Sequence, residues 1–302
     1  MQVDVHQHIW SKPLLDALAA RDQLPFVWRA DGVTVVHSPG ESPYVVDTTG
    51  ETPGRRARLV HDDGLDLAAI ALSSPIGIEM LPREEASSLI GAYLEGVADL
   101  PEEFVAWGPV ALDGLDPGDV DRLVARGCVG ISLPAPALAG PGALASSSPV
   151  LARAAELGVP VFIHPGSVGA GCVSLNEPLW WTALTDYVAQ MQAAWLTFVT
   201  RGRGEHPDLV VLFAMLGGGA PLLSERLTAR GGPPIDLHDP RVFYDTSSYG
   251  PVAVEAMARR VGADQLVYGS DRPVVEPVVS GREALLAANG ARLLLSLSRA
   301  RA

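Results

Sequence analysis

Short runs of Val, Ile, Leu, Ala and Phe recur along the chain at 3–8, 67–73, 104–112, 129–133, 159–164, 209–215, 242–246 and 265–269. They are nearly continuous in apolar residues instead of alternating, which is the pattern of parallel strands covered on both faces. Between them, 85–98, 118–126, 149–157, 178–200, 251–261 and 282–298 show helical periodicity. This alternation predicts an α/β fold, a (β/α)8 TIM barrel, with a doubly wound open sheet as the alternative.

Residues 24–50 break the repeat. Three short β-like pieces, Phe26–Trp28, Val33–Val36 and Tyr44–Val46, are separated by DG, SPGESP and TTG turns. They predict a small β-rich insertion after the first strand, placed above the C-terminal mouth of the barrel as part of a lid. Residues 1–302 otherwise read as one domain, and GPGALASSSP at 140–149 reads as a flexible loop.

The polar residues that interrupt the strand ends carry the chemistry. In VDVHQHIW, residues 3–10, His6 and His8 stand two apart and so share one face of an extended strand. His164 ends the fifth strand in FIHPG, and Asp271 follows the eighth in YGSDRP. Barrel enzymes gather their reactive groups at these C-terminal ends. Three imidazoles and a carboxylate suit zinc, iron or manganese, with a position left for water.

The net charge of −13 argues against nucleic acid and anionic membranes as partners. The opening residues lack a basic–apolar leader, and no apolar run reaches about 18 residues. A cytoplasmic protein acting on a small molecule is expected, either as a monomer or as a homodimer. The two cysteines do not make a disulfide framework: Cys128 reads as a buried thiol, and Cys172 lies in a Gly-rich loop.

The segments VDVHQHIW, FIHPG, LGGGAP, FYDTS and YGSDRP, in this order, resemble the amidohydrolase superfamily, in particular the branch of aminocarboxymuconate semialdehyde decarboxylase. HQHIW is also similar to the opening of the sugar-lactone and pyrone-lactone hydrolases. The resemblance implies one divalent metal, expected to be zinc, on His6, His8, His164 and Asp271. Binuclear relatives bridge two metals with a carbamylated lysine on the fourth strand. Here the single lysine is Lys12 and that strand ends Ile131-Ser132-Leu133.

Family members carry a histidine before the glycines of the sixth-strand motif, where this chain has Met215. A thioether cannot shuttle a proton. The expected activity is therefore hydrolysis of a small carboxylated amide, ester or lactone, with metal-activated water and Asp271 as proton acceptor. Nonoxidative decarboxylation and a noncatalytic ligand-binding barrel are the alternatives.

Around this centre, Arg272 is a candidate for a substrate carboxylate or for a rim ion pair, and Trp10 for a pocket wall or core packing. Ser247 and Ser248 are candidate hydrogen-bond donors or helix caps. Gly217–Gly219 suggest a helix entrance able to hold an anion. His37 and His61 are possible replacements for the missing histidine, and His206 and His238 are assigned no role.

Overall fold

The first strand is buried on both faces although Asp4, His6 and Gln7 interrupt its apolar residues. All five residues of β1 (Val3–Gln7) are buried. The computed structural model describes residues 1–169, 178 and 180–300, with 295–300 by backbone alone. Cys172 lies outside the described residues.

After β1 come β2 (Phe26–Ala30), β3 (Val33–His37) and β4 (Tyr44–Val46), then β5 (Leu67–Ile70), β6 (Phe104–Pro109), β7 (Gly130–Pro134), β8 (Val161–His164), β9 (Val211–Phe213), β10 (Val242–Asp245) and β11 (Leu266–Val267). An eight-stranded sheet runs β1-β5-β6-β7-β8-β9-β10-β11. Its strand pairs are parallel. The last strand returns to the first: Val5 N donates to Tyr268 O at 2.9 Å, Asp271 N to His6 O at 2.9 Å and His8 N to Arg272 O at 2.6 Å. The sheet is thereby a (β/α)8 barrel, and its closure seam joins the two chain segments that carry His6, His8 and Asp271.

The interior below that seam is filled. The Trp107 indole, from β6, donates across to Val5 O on β1 at 2.9 Å. Its ring lies 5.3 Å from Phe162 of β8, and Phe162 in turn lies 5.0 Å from the His6 ring. Gly130 makes room for this plug, since a Cβ there would approach Trp107 to 2.6 Å and Pro160 O to 2.4 Å. The histidines therefore stand on a packed aromatic floor and open only towards the loops.

Two local readings change. The 140–149 stretch is not a loop: a helix runs Pro141–Glu156. Pro141 suits its first turn, where no N–H is needed. Leu144, Val150 and Leu151 are buried and Ser147 Oγ donates to Ala137 O, so packing outweighs the interior Pro149. The glycines of LGGGAP do not open an anion-binding helix. Met215, Leu216, Gly217, Gly218 and Gly219 all have φ between +51° and +70°, a left-handed turn.

The insertion is a separate antiparallel sheet, β2-β3-β4. Asp31-Gly32, with φ of 50° and 79°, makes the two-residue β2–β3 hairpin that DG signals. Among the described residues, no helix is long and apolar enough to cross a membrane.

Candidate metal centre

His6, His8, His164 and Asp271 come together at the barrel mouth, their ligand atoms all within 4.8 Å of one another. The ring centroids of the three histidines are 4.9–5.1 Å apart with nearly perpendicular planes. This lets three imidazole edges converge without stacking.

Each ring has its outer nitrogen occupied. His6 Nδ1 bonds Asp245 Oδ2 at 2.8 Å, His8 Nδ1 bonds Ala71 O at 2.9 Å and His164 Nδ1 bonds Pro165 O at 2.9 Å. A carbonyl or carboxylate only accepts, so the proton of each neutral ring sits on Nδ1 and the lone pair on Nε2. The Nε2 atoms of His6 and His8 then face each other at 3.1 Å. Asp271 Oδ1 lies 3.2 Å from His8 Nε2 and 3.5 Å from His6 Nε2. Acceptors meeting at such distances repel unless a proton or a metal cation lies between them. A cation about 2.0–2.2 Å from each donor matches this spacing, so the donor set fits one divalent metal.

The charge balance agrees. Burial opposes a charge on His6, but Asp245, Asp271 and Asp4 outweigh it and raise its pKa to about 9. His164 is pushed well below 6.5 by burial and by the two other histidines. Burial raises the Asp271 carboxyl, yet His8, His6 and Ser248 hold it below the usual carboxylate range. A buried site that draws a proton onto one of its own ligands is short of positive charge.

Asp245, which carried no role in the sequence reading, organises the centre. Beyond gripping His6, it accepts hydrogen bonds at Oδ1 from Met215 N at 3.0 Å, Ser247 N at 3.0 Å and Ser247 Oγ at 2.6 Å. The Ser247 hydroxyl is thus directed at Asp245. Exposed Ser248 is the serine whose side chain reaches Asp271. Asp4 ties the seam from below, accepting from His6 N at 3.0 Å and Ser270 N at 3.1 Å. Met215, Ser248 and Asp271 all have positive φ, 53°, 64° and 61°. Such strain in non-glycine residues gathers where a site dictates geometry.

The remaining candidates lie around the centre. Trp10 is buried and stacks on Tyr44 at 5.7 Å, with its backbone N bonded to Glu51. Arg272 pairs with Asp63 at 3.2 Å and Glu276 at 3.7 Å. Met215 is half-buried at the end of β9. His37 stacks on Phe26, His61 bonds Glu103, His206 bonds Ser148 and His238 bonds Val261 O, so each is engaged elsewhere.

No protein-family model matches the chain, and no curated protein does. Solved structures match over almost its whole length. IDCase of Metarhizium anisopliae is 16% identical, with a TM-score of 0.76 over 98% of this chain and 97% of that one. The 5-carboxyvanillate decarboxylase of Novosphingobium aromaticivorans, complexed with manganese and 4-hydroxy-3-methoxy-5-nitrobenzoic acid, is 18% identical, with a TM-score of 0.73 over 97% and 96%. The 2,6-dihydroxybenzoate decarboxylase of Rhizobium is 16% identical, with a TM-score of 0.65 over 97% and 98%. At these identities the likeness is one of fold.

Proposed function

We propose that this chain is a mononuclear metal-dependent enzyme of the amidohydrolase superfamily, and that it removes CO2 without oxidation from a small carboxylated substrate. The observation that carries the enzyme reading is the convergence of three Nε2 lone pairs and Asp271 on one point at a barrel mouth. The full-length likeness to decarboxylase barrels supports the lyase reaction over the hydrolysis expected from sequence.

A divalent ion on His6, His8, His164 and Asp271, whether zinc or manganese, would supply Lewis-acid polarisation of a substrate oxygen. The residues supply the rest. Asp245 and Ala71 O fix His6 and His8 in one tautomer and orientation. Trp107 and Phe162 close the floor against water. Asp271, with 14% of its side chain exposed, is the titratable group of the four that meets the opening. In decarboxylation it delivers a proton to the carbon bearing the carboxylate. The C–C bond breaks, CO2 leaves and the proton stays as the new C–H.

Met215 favours the second reading, hydrolysis. A histidine at that position can hold a proton for the lyase reaction and a thioether cannot. Hydrolysis needs only one proton acceptor, and Asp271 provides it.

The test is direct. Protein loaded with manganese or zinc is offered ortho-hydroxylated benzoates alongside aryl esters and lactones, with CO2 release and acid release followed separately. CO2 release that disappears in His164→Ala is expected. Ester or lactone turnover without any CO2 would replace the lyase with the hydrolase.

A further inference from the structure

The insertion reaches the mouth by its β3–β4 loop. Pro39 O accepts a hydrogen bond from Ser167 Oγ at 3.0 Å, on the loop that follows His164. A Cβ on Gly40 would meet Gly169 O at 2.5 Å, and one on Gly77 would meet Ser167 at 3.4 Å and Pro39 at 3.5 Å. The loop tip is therefore wedged between the loops after β5 and β8, at the end of the barrel that carries the four ligands. Only glycine fits at 40, where φ is also +76°.

That wedge delivers one acidic side chain. Tyr187, at the start of the helix Asp186–Thr197, donates its hydroxyl to Glu41 Oε1 at 2.7 Å across 146 positions of sequence. This is the one hydrogen bond of the Glu41 side chain among the described residues, and Oε2 keeps its accepting capacity. Burial raises the Glu41 carboxyl and Asp186 raises it further, while the Tyr187 bond lowers it. Burial raises the Tyr187 hydroxyl, and the charges of Glu41 and, to a lesser degree, Asp271 raise it further. No lysine or arginine pairs with Glu41, Tyr187 or Asp186 among the described residues, and residues 170–177 contain neither. Arg272, the guanidinium nearest in sequence to a ligand, is held by Asp63 and Glu276.

We propose that Glu41 and Tyr187 form a second recognition point: they take a hydroxyl or amino group at the end of the substrate away from its reacting carboxylate, and they repel a second carboxylate there. This rests on the carboxylate-substrate reading above and narrows it to hydroxy- or amino-substituted monocarboxylates. A metal on His6, His8, His164 and Asp271 would hold one end of the molecule, and the acceptor on the insertion loop selects the other. A carboxylate accepting from a neutral donor in a half-buried site discriminates by an unpaired group whenever that donor is missing.

Calorimetric titration of the metal-loaded protein with benzoate and its 3- and 4-hydroxy, amino and carboxy derivatives tests this without turnover. A hydroxy or amino derivative should bind about tenfold or more tighter than benzoate, and the dicarboxylates should bind weakest. Glu41→Gln should bring the dicarboxylates to within about twofold of benzoate, and Tyr187→Phe should reduce the preference for the hydroxy and amino derivatives over benzoate. Dicarboxylates binding as tightly as the hydroxy derivatives would overturn the proposal. So would a preference that survives in both variants, or a failure of every probe to bind. CO2 release is read in a separate assay, so loss of the lyase reading and loss of this pair's role give different results.

Discussion

Asp245 and His6 are joined side chain to side chain at 2.8 Å, both fully buried, although they stand 239 positions apart in the sequence. The bond fixes the His6 tautomer and turns its Nε2 towards the other ligands. Asp245→Asn keeps the volume and removes the charge. The expected result is an intact barrel whose metal affinity is about 10–100-fold weaker, measured by competition with a chelating dye.

Proton and metal compete for His6. Its pKa without metal is raised from 6.5 to about 9, so metal uptake at neutral pH releases a proton. Affinity should climb with pH up to about 9 and then level off. Calorimetry in buffers of different ionisation enthalpy reads the release. The same shift sets a stability trend for the metal-free protein. A raised pKa contributes stability that is complete below pH 6.5 and lost as pH rises through 9. The Tm of chelator-treated protein should fall across that window.

Glu79 is buried in the loop after β5, bonded by Ser74 Oγ at Oε1 and, among the described residues, without a hydrogen-bond partner at Oε2. Burial lifts its pKa from 4.5 to about 7, more than the Ser74 bond lowers it. The protonated acid is the form the fold accommodates, so its contribution is complete below pH 4.5 and lost as pH rises through 7. Glu79→Gln should be near neutral at pH 5 and stabilise by about 1–3 kcal/mol at pH 8. Urea unfolding at the two pH values measures it.

The barrel was legible because β7 and β8 are buried on both faces and their sequences are almost unbroken by polar residues. The ligands were legible for the opposite reason, as polar residues at the ends of such runs. Asp245 was not, because a buried carboxylate that orients a ligand has the same sequence context as one that caps a turn. Only the three-dimensional seam shows which it is. The helix Pro141–Glu156 was hidden by Pro, Gly and Ser, whose local preferences are overruled by burial of Leu144, Val150 and Leu151. Ser247 and Ser248 were indistinguishable until backbone geometry sent one hydroxyl to Asp245 and the other side chain to Asp271.

Asp271 and Met215 together decide the shape of the pH profile. Met215 does not titrate, so in the proposed reaction Asp271 is left as the single proton carrier at the opening. In the metal-free protein His8, His6 and Ser248 hold its carboxyl below the usual range against the effect of burial, and a bound cation would favour the carboxylate in their place. A lyase that must protonate carbon uses the minor, protonated form, and kcat/KM should then fall about tenfold per pH unit through neutrality. A hydrolase that uses the carboxylate as base has that form fully populated, and its rate should be flat over the same range. Asp271→Asn should lower kcat by about 10²-fold or more, beyond what its loss of metal affinity explains at saturating metal. Met215→His introduces a group titrating near 6.5 beside the same opening. It should add a second limb to the profile and raise CO2 release. A profile left unchanged by that substitution would mean that the 215 side chain stands clear of the reacting atoms, and the argument for hydrolysis from Met215 would go with it.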